Sequence, residues 1–423
     1  MNICKALYCR LYQGAFRAAM PVLPYTMPET LSSVTEIPGK LQELGIGAAL
    51  LVTDKSIRAL GLTEPLEAAM KAAGIKCPVY DGTVQNPTVS NVETALTYYI
   101  GVGCGAVIGF GGGSAMDCAK AVAARAGCPN KTMAQMSGNL RIHHKLPPIF
   151  AVPTTAGTGS ETTLTSVITD DLTRHKVPMN DFSLIPKYAV LDPQTTVDLP
   201  PFFTATTGVD ALTHAVEAYI GRSTTKQTRV WSVEAVKLIL ANLERAYTDG
   251  HDLEARQNML RAAYLAGASF TRSYVGYCHA VAHSLGGMYN TPHGLANAVL
   301  LPYVLRAYGD SVYKKLKALS VAAGFCDKSV PDSVAAELFI RKVETQNRRL
   351  NIPTKLSGIR PEDIRQLSKY ADHEGNPLYP VPRLMRRRAL EQFYVMVADD
   401  LEPAKSEAKE DSQSWKKQQS AAS

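Results

Sequence analysis

Short apolar runs alternate with amphipathic stretches from about Ala48 to Leu191, and the alternation predicts buried strands joined by helices. Residues 48–54 read as a buried strand, 63–73 as a helix, 78–82 as a second strand, 90–100 as a helix and 106–110 as a third strand. The runs at 148–153 and 188–191 read as further strands. Strands that are apolar throughout and separated by helices indicate βαβ units in a parallel sheet. Beyond about Pro200 the texture changes to long helical periodicity, at 208–219, 228–247 and 252–270, then a helix rich in histidine and further helices to Ala398. The Leu199-Pro200-Pro201 triplet marks the boundary between these textures.

Two glycine-rich turns add candidate chemistry to the sheet half. The third strand runs into Gly109-Phe110-Gly111-Gly112-Gly113-Ser114-Ala115-Met116-Asp117, with a helix following. Glycines at a strand-to-helix turn let backbone N–H groups approach a phosphate, and the helix N-terminus adds partial positive charge. The spacing is not GxGxxG, so taken alone the run is also readable as a tight turn. Pro153-Thr154-Thr155-Ala156-Gly157-Thr158-Gly159-Ser160-Glu161 follows the next strand. It reads either as a polar loop with a capping box or as the second wall of a nucleotide cleft. Asp54 closes the first strand, where a carboxylate accepts from both hydroxyls of an adenosine ribose and repels a 2′-phosphate. NAD is therefore expected over NADP; the alternative role for Asp54 is the N-cap of the next helix.

The helical half carries a histidine ladder. Asp210 and His214 are four residues apart, as are His279 and His283, and His293 follows after a Gly-Gly turn at Gly286-Gly287. That spacing puts each pair on one helix face. An isolated pair of this kind is usually structural. Here the surrounding Ala280-Val281-Ala282 and Leu285 are apolar, and buried imidazoles need partners. Imidazoles with one carboxylate make a ligand set for Fe(II), Zn or a similar divalent ion.

Composition narrows the class without naming a reaction. The 423 residues allow two full cores, and 46% hydrophobic with 20% charged residues is a soluble globular balance. The net charge of +7 is scattered apart from Arg383 and Arg386-Arg387-Arg388, which read as a solvated helix face, so no nucleic-acid partner is expected. Eight irregularly spaced cysteines read as reduced thiols of a cytoplasmic protein. No apolar run reaches the roughly 18 residues of a membrane helix, so no membrane partner is expected. The stretch from Ala6 to Pro24 is apolar with basic residues interspersed, and no signal peptide is expected. It reads as an amphipathic helix packed on the body; a targeting or partner-docking helix is the sharper alternative.

In order along the chain, Gly111-Gly112-Gly113-Ser114-x-x-Asp117, the 153–161 turn, Gly208-Val209-Asp210-Ala211-Leu212-Thr213-His214-Ala215 and His279-x-x-x-His283 followed by His293-Gly294 resemble the iron-dependent alcohol dehydrogenases. This is the family of lactaldehyde reductase, 1,3-propanediol dehydrogenase and butanol dehydrogenases. The resemblance runs from about Thr35 to Leu401. It implies an α/β Rossmann-like N-terminal domain plus an all-α C-terminal domain, the fold shared with dehydroquinate synthase, with a cleft between. The organisation expected is a helical extension at 1–34, a dinucleotide-binding domain at 35–199, a metal-binding helical domain at 200–401 and a disordered tail at 402–423. The resemblance implies that Asp210, His214, His279 and His293 hold Fe(II) or Zn, with His283 beside the metal as a catalytic residue near the nicotinamide. It places NAD against Gly112, Gly113, Ser114, Asp117, Thr154, Thr155 and Thr158, with Asn86 and Lys176 also reaching the cofactor. One departure is Thr271-Arg272, where the family often has a small residue followed by Asn; a changed pocket or interface is expected there.

The activity expected is reversible hydride transfer between a small primary alcohol or aldehyde and nicotinamide, with the metal polarising the oxygen and His283 as proton relay or packing residue. A homodimer or larger homo-oligomer is expected. Two other classes remain: a non-redox lyase like dehydroquinate synthase, and a metallohydrolase. Against the first, the extra basic residues a phosphorylated substrate needs are not evident. Against the second, the segment between His279 and His283 lacks the Glu of HExxH.

Overall fold

The structure is a computed structural model describing residues 3–172 and 175–399. The expected disordered tail at 402–423 lies outside the described residues. Among the described residues there are nine strands: β1 (Glu29–Leu31), β2 (Ala49–Val52), β3 (Val79–Tyr80), β4 (Ala106–Gly111), β5 (Gly138–Asn139), β6 (Ile149–Pro153), β7 (Thr165–Thr169), β8 (Lys176–Asn180) and β9 (Tyr188–Val190). The helices of the first half are α1 (Ile3–Ala19), α2 (Ile37–Glu43), α3 (Lys55–Ala59), α4 (Glu64–Ala72), α5 (Val89–Val102), α6 (Gly113–Gly127) and α7 (Met133–Met136).

Six strands form one parallel sheet in the order β1-β9-β6-β4-β2-β3. Every residue of β2, β4 and β6 is buried, because helices cover both faces. Leu50, Val52 and Val107 face one layer with Val122 of α6; Leu51, Ile108 and Phe150 face the other with Leu66 and Met70 of α4. A second sheet, β5-β8-β7, pairs β7 and β8 antiparallel with Val167 opposite Pro178. Its strands were not expected. Pro178 demotes β8 as a strand signal, and β8 buries only Met179. The edge strand β1 buries only Leu31.

From Pro201 onward the described chain is helical: α8 (Pro201–Ile220), α9 (Lys226–Thr248), α10 (Leu253–Ser273), α11 (Tyr277–Tyr289), α12 (His293–Tyr308), α13 (Asp310–Ala322), α14 (Asp332–Arg349), α15 (Ile364–Gly375) and α16 (Arg387–Val397). α8 starts seven residues before the expected 208, because Pro201 sits at the first helical position, where its missing N–H is harmless. Val209, Leu212 and Val216 of α8 share one core with Val281 and Leu285 of α11 and with Leu300 of α12. This core immobilises the three helices that bear the acid and imidazole candidates.

α1 packs on the helical half, against the segment around Tyr379. Arg10 Nη1 donates to Val381 O at 2.8 Å and Gln13 Nε2 to Tyr379 O at 2.7 Å.

Candidate metal centre and cofactor turns

Asp210 and His214 lie one turn apart on α8, His279 lies in the first turn of α11, and His293 opens α12. One ligand atom from each lies within 4.8 Å of the others. His293 Nε2 is 3.5 Å from Asp210 Oδ1, His279 Nε2 is 3.8 Å from the same oxygen, and His214 Nδ1 is 4.0 Å from Asp210 Oδ2. These gaps are too long for hydrogen bonds. They are close to the spacing of atoms sharing one ion, since ligands about 2.1 Å from a metal stand roughly 3–3.5 Å apart. His214 Nδ1 and His279 Nε2 are buried and lack a hydrogen-bond partner. Two unpaired buried imidazole nitrogens cost free energy unless something else accepts their lone pairs, and a divalent cation does so. The donor set therefore fits a metal.

The surroundings prepare these rings as ligands. Glu217, two turns from Asp210 on α8, accepts from His279 Nδ1 at 2.7 Å and from the backbone N–H groups of Gly276 and Cys278 at 2.8 Å each. With Nδ1 donating, His279 Nε2 keeps its lone pair directed at the cluster. Burial lowers the pKa of His214, and burial with the neighbouring imidazoles holds His279 well below its ordinary value. Both rings stay neutral, as ligation requires. Burial pushes the Glu217 carboxyl up to about 7, against the N–H groups that pull it down. Asn297 Nδ2 donates to Asp210 Oδ1 at 2.7 Å and lies 3.1 Å from His293 Nε2. Phe270 stacks on His214 with ring centroids 4.2 Å apart.

His283 stands beside this group, its ring stacked on His293 at 5.0 Å. Its Nδ1 is 2.5 Å from Glu374 Oε1. Burial opposes charge on His283, but Glu374 outweighs it and the imidazole pKa is raised. Glu374 also accepts from Tyr379 Oη. His283 is thus held by a carboxylate from α15.

The two glycine turns face each other. β4 ends at Gly111 with φ 149°, and a Cβ there would come within 2.8 Å of Ala115 Cβ. Only glycine lets α6 begin this close to the strand end. Gly112 is the N-cap without a side-chain cap bond, so the first N–H groups of α6 are available to an anion. A Cβ on Gly112 would touch Thr155 at 3.9 Å, and one on Gly113 would touch Thr158 at 3.3 Å. Thr154 N–H donates to Gly111 O at 3.1 Å and ties the walls together. The second turn also reaches α8 and α10: a Cβ on Gly157 would come within 2.5 Å of Thr207, and one on Gly159 within 2.6 Å of Gly267. Thr207 is three residues before Asp210, so the turns and the ligand cluster adjoin.

The remaining candidates occupy less direct places. Asp54 is the N-cap of α3, with Oδ1 accepting from Ser56 and Ile57 N–H, while Oδ2 faces Gly111. Asn86 accepts from Lys176 Nζ at 2.5 Å. The Asp117 carboxylate accepts from Ser160 Oγ at 3.2 Å and Val167 N–H at 3.0 Å, so it braces the turns from behind. Ser114 lies in the first turn of α6. Arg272 lies over the Tyr25 ring at 5.6 Å and donates to Met20 O at 3.5 Å.

Sequence reasoning missed Glu217, Glu374, Asn297 and Lys120. Lys120 is fully buried one turn beyond Asp117 and donates to Ser160 Oγ, Thr163 O, Thr163 Oγ1 and Thr165 O at 2.9–3.2 Å. Its signal was the i,i+3 acid–base pair within the otherwise apolar stretch Ala115 to Ala124 of α6.

The family model for iron-containing alcohol dehydrogenases matches residues 30–193, and the model for the C-terminal part of the Fe-containing alcohol dehydrogenase family matches 204–396. The chain is 36% identical to a 1,3-propanediol dehydrogenase of Klebsiella pneumoniae over 365 residues, 85% of this chain and 93% of that protein. It is 33% identical to an NAD-dependent methanol dehydrogenase of Bacillus methanolicus over 344 residues, 80% of this chain and 89% of the relative. The crystal structure of a 1,3-propanediol oxidoreductase superposes with a TM-score of 0.84 at 34% identity, over 88% of this chain and 98% of the other.

Proposed function

The chain belongs to the family of iron-containing alcohol dehydrogenases, and on that footing we propose how it works as an NAD-linked alcohol and aldehyde oxidoreductase. The observation that carries the reading is the four-residue donor cluster, with two unpaired buried imidazole nitrogens, directly beside the paired glycine turns. Residues 35–199 are the cofactor-binding half, 200–401 the metal-binding half.

Asp210, His214, His279 and His293 hold the divalent ion, Fe(II) or Zn. Bound there, the ion supplies Lewis acidity toward an alcohol or carbonyl oxygen. The N–H groups at Gly113 and Ser114, with Gly112, Thr155 and Thr158, receive the cofactor pyrophosphate at the α6 N-terminus. Thr154 and Asp117 keep the two turns in register. Asp54 Oδ2 faces the ribose and disfavours a 2′-phosphate; Asn86 and Lys176 close the outer side. Phe270 fixes the His214 ring and walls the pocket on that side. His283, beside His293, moves the proton between substrate oxygen and solvent, with Glu374 holding its Nδ1.

The relatives are dehydrogenases, and neither the lyase nor the hydrolase reading is favoured. A cytoplasmic location is supported by eight free cysteines. A homodimer or larger homo-oligomer is proposed from the family resemblance.

The test is NADH oxidation with a panel of small aldehydes, after chelation and after return of Fe(II) or Zn. Aldehyde-dependent NADH loss that disappears with chelator and returns with one of the metals is the expected result. Absence of aldehyde-dependent loss under every metal would sink the reading.

A further inference from the structure

The outward face of α1 is apolar along its whole length. Ile3, Leu7, Tyr8, Leu11 and Tyr12 are 87%, 59%, 58%, 64% and 41% exposed. Cys4, Gly14, Ala15 and Ala18 complete the same face, and all are exposed. By helical periodicity these positions share one side, with no charged residue among them. This inverts the usual surface helix, which turns charge outward.

The opposite side is firmly attached, so the apolar face is a presented surface. Cys9 and Gln13 are buried, and Gln13 Nε2 donates to Pro377 O and Tyr379 O at 3.1 and 2.7 Å. Arg10 donates to Val381 O and Pro382 O, Lys5 pairs with Asp372 at 2.6 Å, and Phe16 meets Tyr274 edge-on at 4.8 Å.

Apart from Asp372, which is paired with Lys5, the charges named around this face are basic. α1 contains no acidic residue. Arg10 and Arg17 adjoin Arg222, Arg229 and Lys315 of the body, and among the described residues none of these five has a carboxylate partner. Arg229 donates to Thr224 Oγ1, and Lys315 donates to Ile220 O and Gly221 O at 2.7 and 2.6 Å. Burial, then the charges of Arg229, Arg222 and Arg17, push Lys315 down to about 8. An apolar stripe with two tyrosines, bordered by unneutralised guanidinium groups, is complementary to an acyl–headgroup boundary carrying negative charge.

We propose that α1 docks this protein on an anionic lipid surface, with Ile3, Leu7 and Leu11 entering the headgroup boundary and the Arg17, Arg222, Arg229 and Lys315 cluster meeting the lipid charge. A second copy fits the face less well. A helix of 17 residues is about 25 Å long, and a face roughly 10 Å wide covers about 250 Å², far below the ~800 Å² per partner of a stable interface. The cationic cluster would also face its own copy. The expectation of no membrane partner rested on the lack of a spanning segment. No helix among the described residues is long and apolar enough to cross a membrane, and that leaves a surface contact open.

The test uses the full chain, loaded with metal and NADH, in flotation with phosphatidylcholine vesicles and with vesicles containing roughly a third phosphatidylserine. Binding to the anionic vesicles alone, weakened by high salt, is expected. Leu7→Glu/Leu11→Glu should reduce it about tenfold or more while aldehyde reduction stays unchanged, since both side chains face solvent. Arg222→Glu/Arg229→Glu should weaken the anionic selectivity. No binding to either vesicle, or binding indifferent to Leu7→Glu/Leu11→Glu, would overturn the proposal. So would a protein whose mass in solution halves in that variant without wild-type vesicle binding, which would assign the face to a second copy.

Discussion

Two buried polar clusters lie beside the cofactor turns, and they are finished differently. Around Lys120 nearly every group has a partner: its ammonium meets four oxygens, and both Asp117 oxygens accept hydrogen bonds. Only Glu161 Oε1 is left over. Around Asp210 one nitrogen of each of two rings, His214 Nδ1 and His279 Nε2, is unpaired, although the other side of the His279 ring and the carboxylate are well held. A closed network rigidifies a scaffold; buried nitrogens that converge without a protein partner are suited to a ligand. The first cluster positions the turns, and the second is the one proposed to receive an ion.

The largest expected effect breaks the open cluster. His279→Ala should lose bound metal and lower kcat/KM for aldehyde about a thousandfold or more. The metal-free variant should melt only a few degrees below the metal-free wild type, because the lost packing and the lost Nδ1 bond to Glu217 are partly offset by removal of the unpaired Nε2. Metal analysis with thermal melts of both apo proteins checks this. A variant that keeps its metal removes His279 from the ligand set.

The next effect is smaller and acts from behind the ring. Glu217→Gln keeps the shape of the side chain but removes the charge and one acceptor of the three bonds from Gly276, Cys278 and His279. His279 then loses its fixed tautomer. Metal affinity should fall about 10- to 100-fold, read by competition with a chelator. Unchanged affinity would reduce Glu217 to a cap of α11.

What was legible in the sequence divides along the same line. The apolar strands β2, β4 and β6 announce themselves because burial on both faces leaves them no polar positions. Asp210 and His214, or His279 and His283, are visible because helical spacing is local. Glu217 is invisible because its partner His279 lies 62 residues away and the acid on α8 has no local signature. Glu374 is likewise set against His283 from 91 residues away. The small sheet escaped because β5 has two residues and β8 carries Pro178. Chemistry carried by residue type and near spacing can be read in advance; the support that orients it comes from elements that meet only after folding.

The smallest effect probes the leftover atom of the closed cluster. Burial pushes the Glu161 carboxyl from its ordinary 4.5 to about 7, with Lys120 opposing the rise. Between those values the folded state binds the extra proton, so stability contributed at this site is present below pH 4.5 and is lost as pH rises to 7. A glutamine side chain cannot ionise, so Glu161→Gln should match wild type at the acid end and become more stable than it toward neutrality, by on the order of 1 kcal/mol. Lys120, already lowered to about 8 by burial, loses one of the two carboxylates that support its charge and should drop further. Melts of the two proteins across this range, compared as a difference, isolate the site from other titrations. A flat difference would mean that Glu161 finds a partner for Oε1, and the cluster at Lys120 would then be closed throughout.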